Sequence, residues 1–196
     1  DNSGKYVKYL WDPNSYINIM VYNFTTEPNS NSVTLGISHI PFSTTGKHYL
    51  EGLGETDYSH LTLANLQFPL SVSINSLYIN EESTPTEYST ADIAVTLAHE
   101  LGHYLGLHHV FAETDNGTCE DTDYCKDTKS YNKQEYDSKC DYIYENEREK
   151  YTFKNLVKRT GCDGIEFISY NIMDYAISYS NQFTQNQRER IRHVLS

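Results

Sequence analysis

Apolar positions alternate with polar ones in three stretches of the first half of the chain, as in half-buried β-strands. Residues 16–24 and 33–42 are rich in β-branched and aromatic side chains, and residues 70–80 repeat this character. Within the third stretch the apolar positions change phase between Ile74 and Leu77, which a bulge or a fully buried strand would explain. The pattern therefore predicts strands in all three stretches.

A three-and-four spacing replaces the alternation after residue 89. Ser89 or Thr90 can cap a helix there, and Ser89 with Asp92 approximates a capping box. The apolar residues that follow form one stripe of a helix, namely Ile93, Ala94, Leu97, Ala98, Leu101 and Leu105. We expect this helix to be anchored in the core, with its other face open to solvent or to a cleft.

Two further helices are predicted in the second half. Residues 145–158 are expected to be helical within a tyrosine-rich, charged insertion at 129–162, for which a solvated excursion is the favoured interpretation. Thr184 with Gln187 is a capping box that opens a last helix ending near Val194. Because 196 residues fit one compact domain, we expect any division to be into subdomains around a cleft.

Residues 99–109 read His-Glu-Leu-Gly-His-Tyr-Leu-Gly-Leu-His-His and predict a metal site. On a helix, His99 and His103 stand four residues apart, so both imidazoles face the same side and can hold one ion. Gly106 can end the helix in the left-handed conformation, which lets the chain turn and bring His109 back as a third ligand. The spacing assigns the ligand to His109 and leaves His108 exposed or beside the ligands.

Glu100 lies about 100° round the helix axis from its histidine neighbour, where it can reach a metal-coordinated water without ligating the metal. Three neutral imidazoles leave one coordination position open, which is typical of catalytic zinc, and bring the pKa of a bound water to about 7. The pattern predicts Zn²⁺ as cofactor and Glu100 as general base. The alternative is that His99 and His103 are ordinary polar residues and that Gly106 is only a C-cap.

The pattern HExxHxxGxxH resembles the metzincin clan of zinc endopeptidases, in which a downstream methionine turn forms a hydrophobic floor under the metal. Residues 171–175, Asn-Ile-Met-Asp-Tyr, and residues 181–187 are similar to the pappalysin branch of this clan, and within it to zinc metalloproteinase lipoproteins of Bacteroides-type bacteria. The resemblance implies that Met173 forms the turn and that the Tyr175 hydroxyl supports the oxyanion of the reaction. The alternatives are a core methionine and a packed tyrosine.

The resemblance also implies a metzincin-like α+β fold over a single catalytic domain, residues 1–196. A twisted mixed sheet and the active-site helix would lie above a cleft, in an upper subdomain of about residues 1–106. The methionine turn and the C-terminal helix would lie below it, in a lower subdomain of about residues 107–196. Residues 70–80, just before the active-site helix, are by this resemblance the candidate sheet edge along which substrate lies extended.

Net charge and hydropathy limit the expected partners and cellular location of the protein. The net charge is −12 and no Lys/Arg cluster interleaves with aromatic residues, so no nucleic-acid partner is expected. No run of 18 apolar residues occurs, so no transmembrane segment is predicted in this chain. The lipoprotein likeness implies a lipid anchor upstream and an extracytoplasmic location, which could be secreted, cell-surface or periplasmic.

All four cysteines follow the zinc motif, at Cys119, Cys125, Cys140 and Cys162. An even number confined to one region favours two disulfides and an oxidising compartment. Free buried thiols and a structural zinc site are the alternatives, and three disulfide connectivities are open.

Acidic side chains crowd residues 113–127, and oxygen-rich loops of this kind can hold Ca²⁺. The candidate ligands are Asp115, Glu120, Asp123 and Asp127. Residues 123–128 are similar to the calcium-binding stretch after the third histidine of the pappalysin branch, but Lys129 stands where that branch usually has proline. Calcium is therefore a candidate second cofactor, with a solvated acidic loop as the alternative.

These observations predict a zinc-dependent endopeptidase whose substrate is a protein or peptide. Glu100 would take a proton from the attacking water and deliver it to the leaving amine, and Tyr175 would stabilise the oxyanion. A zinc-holding surface protein that binds peptides without turnover is the alternative, although it has no use for Glu100. A metal-dependent hydrolase acting on another substrate class is also compatible with the ligands.

Overall fold

The computed structural model describes residues 5–24, 33–57, 60–64, 66, 69–85, 87–113, 118–175 and 177–196. The chain separates into two compact units. One comprises Asp1–Gly106 with Ile191–Ser196, and the other comprises Leu107–Arg190. That residues 1–196 act as a single catalytic domain stays a prediction.

The described residues of the first unit form five short strands and one long α-helix. In chain order they are β1 (Ile19–Tyr22), β2 (Gly36–Ser38), β3 (Phe42–Thr44), β4 (Gly54–Thr56), β5 (Val72–Asn75) and α1 (Ile93–Tyr104). The first, second and fifth strands form a mixed sheet in the order β1-β5-β2, with β5 parallel to β1 and antiparallel to β2. β3 and β4 form a separate parallel pair. The predicted α+β class with a twisted mixed sheet is confirmed.

β5 is the central strand of this sheet and is buried on both faces, since none of Val72, Ser73, Ile74 and Asn75 is more than 7% exposed. The change of apolar phase marks the end of this buried strand, because Ser76–Tyr78 is a 3₁₀ turn that leaves Leu77 63% exposed. The prediction that residues 70–80 form the sheet edge is therefore wrong. In the described part of the chain the edges are β1 and β2.

Four residues of the predicted apolar stripe of α1 pack on the core, whereas Ala94, also predicted to belong to it, is exposed. Ile93, Leu97, Leu101 and Leu105 contact a buried cluster formed by Val7, Leu10, Leu66, Leu70, Val72, Ile74 and Tyr104. Full burial of one such side chain contributes roughly 1.5–3 kcal/mol, so the stripe fixes the rotation of the helix about its axis. The same rotation fixes the direction in which the polar residues of α1 point.

Short elements joined by long loops form the second unit. They are α2 (Lys133–Asn146), α3 (Phe153–Leu156), β6 (Lys158–Thr160) and β7 (Glu166–Ile168), and β6 pairs antiparallel with β7. A last helix, α4, spans Gln185–Val194. Thr184 and Gln187 form the predicted capping box, because each accepts the backbone N–H of the other through its side chain.

Two predictions for residues 129–162 are confirmed only in part. The main helix is α2 and not residues 145–158, because the Asn132 side chain accepts the Glu135 N–H and so begins the helix earlier. Most of α2 is exposed, as expected of a solvated excursion, but Tyr131 and Arg159 near the two ends of the segment are each only 1% exposed. Both ends of the segment are core residues of the second unit.

One disulfide is present where two were predicted. Cys119 is bonded to Cys162 with a Cα–Cα distance of 5.4 Å, whereas Cys125 and Cys140 are free thiols. Cys140 lies within α2, whereas Cys125 is buried in a turn whose next residue, Lys126, donates its backbone N–H to the Asn186 side chain, so the two thiols are on separate elements. No helix in the described part of the chain combines the length and apolarity needed to cross a bilayer.

Candidate active site

Helix α1 begins at Asp92 and carries most of the motif. The Asp92 carboxylate accepts the N–H groups of Ala94 and Val95 at 2.9 and 3.2 Å, so Asp92 is the N-cap in place of the predicted Ser89 or Thr90. A carboxylate at this position also interacts favourably with the positive end of the helix dipole. The first turn of α1 is therefore fixed by one charged side chain.

The helix ends where the sequence predicts. Gly106 has a φ of +89° and its N–H donates to the His103 carbonyl at 2.9 Å. A Cβ at Gly106 would lie 2.9 Å from the Val194 Cγ2, so a side chain is excluded by space as well as by backbone conformation. The chain can therefore leave the helix sharply and continue into His108 and His109.

Three imidazoles of the motif lie together. One nitrogen from each of His99, His103 and His109 lies within 4.8 Å of the other two, and the Nε2 atoms of His99 and His103 are 3.1 Å apart. In the described part of the chain, no other set of three or more His, Cys, Asp or Glu residues approaches closely enough to share an ion. His108 lies instead against the Tyr124 ring, with centroids 5.4 Å apart.

Glu100 is on α1 between the first two histidines and is only 8% exposed. Burial raises the pKa of its carboxyl from 4.5 to about 7, because the ionised form loses hydration. A carboxyl with a pKa near neutral pH exchanges protons readily at that pH. This is the protonation behaviour that a general base requires.

The His109 ring is fixed on several sides by residues of the second unit. It stacks on Phe111 with an interplanar angle of 11°, and the Tyr175 ring contacts it edge-on at 4.5 Å between centroids. Its Nδ1 contacts the Glu113 carboxylate, which also lies 3.9 Å from the His108 Nδ1. Burial opposes ionisation of Glu113, but the polar interactions with His108 and His109 outweigh it and lower the pKa of the carboxyl. Sequence reasoning did not identify Glu113 as a partner of His109.

Met173 is fully buried and supports the same segment. Its carbonyl accepts the N–H of Val110 at 3.3 Å, and its own N–H donates to the Asn171 side chain at 2.9 Å. The backbone next to His109 is therefore hydrogen-bonded to the predicted methionine turn. Tyr175, two residues later, is 46% exposed, so its side chain is not an ordinary core tyrosine.

A buried polar network around Asp174 stabilises the methionine turn. The Asp174 carboxylate accepts the Tyr131 hydroxyl at 2.5 Å and the Ser169 hydroxyl, and it lies 3.3 Å from Nη2 of Arg159. The side chains of Asp174 and Arg159 are both fully buried. Asp174 also accepts the Tyr175 N–H at 2.8 Å, so the ionic network reaches the residue predicted to stabilise the oxyanion.

The predicted calcium ligands do not gather into one cluster in the described chain. Asp115 lies outside the described residues, and Glu120 is exposed. The Asp127 carboxylate accepts the Asn186 N–H at 3.0 Å and so caps the start of α4. Asp127 therefore already has a structural role.

Asp123 differs from the other acidic residues because it is 2% exposed. Its Oδ1 accepts the Cys125 N–H at 2.8 Å, whereas its Oδ2 is buried and makes no hydrogen bond within the described part of the chain. Burial, together with the nearby Asp121 carboxylate, raises the pKa of Asp123 to about 6. A buried, unpaired carboxylate oxygen is a feature that a bound cation would satisfy.

Comparison with known proteins agrees with this geometry. The model of the peptidase M43 family, described as pregnancy-associated plasma protein-A, matches residues 1–196. The chain belongs to this family. The resemblance to the pappalysin branch of the metzincins is thereby confirmed.

Individual relatives match parts of the chain. An extracellular metalloprotease of Arthroderma benhamiae is 37% identical over 97 residues, and one of Arthroderma otae is 38% identical over 97 residues. These matches cover 49% of this chain and 29% of each relative, so the chain matches under a third of their length. Mature mirolysin of Tannerella forsythia in complex with a cleaved peptide shares the fold, with a TM-score of 0.54 and 20% identity over 97% of this chain and 57% of mirolysin.

Proposed function

We propose that the protein is a zinc-dependent endopeptidase that hydrolyses peptide bonds in protein or peptide substrates. The observation that carries the proposal is the His99, His103 and His109 group with the buried Glu100 on the same helix. Membership of a metallopeptidase family and the extracellular metalloprotease relatives support it.

The three imidazoles fit zinc better than a hard cation such as Mg²⁺. Nitrogen donors suit zinc and related transition metals, whereas magnesium and calcium prefer oxygen. Two nitrogen ligands of a tetrahedral zinc are about 3.3 Å apart when each lies about 2.0–2.1 Å from the ion. The 3.1 Å between the Nε2 atoms of His99 and His103 is close to that separation.

A zinc ion at this site would supply Lewis-acid activation of water and of the scissile carbonyl. Glu100 accepts a proton from the attacking water and then delivers it to the leaving amine, and its position on α1 between His99 and His103 keeps the carboxylate close to the imidazoles that would hold the metal. The Tyr175 hydroxyl donates a hydrogen bond to the developing oxyanion. Met173 and Asn171 fix the backbone beside His109, and so the direction of the imidazole.

We further propose that substrate pairs with β2 and not with residues 70–80. Backbone bonds between β2 and β5 involve the Leu35 carbonyl and the His39 N–H, so alternation turns the backbone groups of Gly36 and Ser38 away from β5. β2 is a sheet edge within the described chain, and an extended peptide can add to such an edge as a further strand. Gly36 lies against Glu100, the proposed general base, and this closeness supports β2 as the substrate-binding edge.

Cleavage of a mixed peptide library, read by mass spectrometry, tests the proposal. We expect the zinc-loaded protein to cut peptides internally, the chelated protein to be inactive, and added zinc to restore cleavage. His109→Ala should lose both bound zinc and cleavage. Retention of peptides by the zinc-loaded protein without any new termini would instead establish a zinc-holding peptide-binding protein.

We also propose that the protein acts outside the cytoplasm, where its Cys119–Cys162 disulfide would persist. The extracellular metalloprotease relatives support this location. A lipid anchor upstream of the chain stays a prediction from the lipoprotein likeness. Radiolabelled fatty acid incorporation into the protein in its native host tests the anchor, and absence of label on the protein would contradict it.

Calcium is proposed only for the surroundings of Asp123, on the strength of its buried unpaired oxygen. Ca²⁺ added to the zinc-loaded protein should raise the midpoint of thermal unfolding, and Asp123→Asn should remove that increase. An equal midpoint with and without Ca²⁺ would identify the segment as a solvated acidic loop.

A further inference from the structure

Gly36, the first residue of β2, occupies a position that has no room for a side chain. A Cβ built at Gly36 would lie 2.5 Å from Cγ, 2.7 Å from Oε1 and 2.8 Å from Cδ of Glu100. Carbon atoms in van der Waals contact are about 3.5–4.0 Å apart, so a methyl group and the Glu100 side chain cannot both keep these places. The carboxylate therefore lies against the bare backbone of the strand.

Backbone conformation does not explain this glycine. Gly46, Gly52, Gly106 and Gly164 have positive φ values, which favour glycine, whereas Gly36 does not. Its backbone is that of an ordinary β-strand and would accept alanine without strain. The requirement at this position is space for Glu100.

The strand and the helix are both fixed more firmly than the Glu100 side chain. Gly36 pairs with Ile74 in the buried central strand, and the adjacent Leu35 carbonyl accepts the Asn75 N–H at 2.8 Å. α1 is anchored by its apolar stripe. A methyl group at Gly36 would therefore displace the flexible end of Glu100 before it moved either backbone.

We propose that Gly36 is a positioning residue for the general base, and that its missing side chain sets the place of the Glu100 carboxylate. This inference rests on the proposed endopeptidase function and deepens it by assigning the residue that positions Glu100. Substitution by alanine leaves every backbone hydrogen-bonding group of β2 in place, so substrate pairing with the strand is retained. The defect is confined to the proton-transfer step.

Kinetics of Gly36→Ala on a library-derived peptide provide the first test. We expect kcat to fall about 10²-fold, since displacement of a catalytic group by about 1 Å has an effect of that size, while KM stays within about threefold. Bound zinc should remain equal to that of the wild type. Gly54→Ala is the matched control, because a Cβ in that strand meets only the Phe42 Cδ1, at 3.7 Å, and should leave kcat unchanged. A wild-type kcat in Gly36→Ala, or a loss shared by Gly54→Ala, would overturn the inference.

A double-mutant cycle tests the same contact without activity. Gly36→Ala should lower the midpoint of thermal unfolding in the wild type, but not in the Glu100→Ala background, where the competing side chain is absent. An equal change in both backgrounds would show that Gly36 and Glu100 do not interact, and would overturn the inference. If the wild type cleaved no peptide while the two positions remained coupled in this cycle, the proposed function would fail and the contact would stand.

Discussion

Helix α1 and the methionine turn both carry candidate site residues, but different kinds of interaction stabilise the two segments. The helix is anchored by an apolar stripe, of which Leu97 and Leu101 are part, and its polar residues follow from its rotation. The turn has no regular structure, and Asp174 within it is held by a buried cation, Arg159, and by hydroxyl groups. Apolar packing is non-directional and tolerates small changes, whereas a buried ion pair is directional and costs most when one partner is lost. The two regions should therefore respond differently to substitution.

Breaking the buried pair gives the largest expected stability effect. Arg159→Ala leaves Asp174 charged and fully buried without its cation, which should cost about 3–5 kcal/mol of unfolding free energy in urea denaturation. Lys150→Ala, which breaks the exposed pair with Glu147, is the control and should be indistinguishable from the wild type. A small loss in Arg159→Ala would show that the turn does not depend on the buried ion pair.

Glu100 is a buried carboxylic acid on α1, and its burial makes the stability of the metal-free protein sensitive to pH. The pKa of Glu100 is raised from 4.5 to about 7, so the folded state retains the proton that the unfolded state releases first. Protonation of Glu100 therefore favours the folded state. Its contribution to the free energy of unfolding is fully present below about pH 4.5 and is lost as pH rises through about 7, and it amounts to at most about 3 kcal/mol. After chelation, Glu100→Gln should be more stable than the wild type at pH 8 by up to this amount. Equal stabilities of the two proteins at both pH 4.5 and pH 8 would contradict the effect of burial.

The sequence made the first region predictable and left the second largely hidden. The positions of His99, Glu100 and His103 follow from helical periodicity, and Gly106 marks the end of the helix by its own chemistry. No local sequence pattern predicts the Arg159–Asp174 pair or the Gly36–Glu100 contact, because the partners lie far apart in the sequence. The free Cys125 shows the same limit, since an even cysteine count does not say which pairs can meet.

Glu113 supports His109, on the segment next to the methionine turn, through a polar contact between its carboxylate and the Nδ1 atom. Glu113→Ala should weaken zinc affinity by about 10- to 100-fold, because a carboxylate fixes the orientation of a ligating imidazole. Competition with a chromogenic chelator measures the affinity. Glu145→Gln, an exposed site on α2, controls for loss of one negative charge. Unchanged affinity in Glu113→Ala would mean that Phe111 and Tyr175 alone orient the ring.

The smallest expected effect concerns the start of α1. Asp92→Ala removes the N-cap and should cost about 1 kcal/mol of unfolding free energy, whereas Ser89→Ala, at the cap suggested by sequence, should cost less. Thermal unfolding of the two variants side by side measures the difference. The reverse order would restore Ser89 as the cap.

If three imidazoles hold zinc while Glu100 acts as the base, replacement of Glu100 should strongly reduce turnover without releasing the metal. Bound zinc and kcat are determined on the same preparations of wild type and Glu100→Gln. We expect one zinc per chain in both proteins and a kcat lower by about 10²- to 10⁴-fold in the variant. Full turnover by zinc-loaded Glu100→Gln would contradict the role of Glu100 as the base, and loss of zinc from the variant would make Glu100 a metal ligand instead.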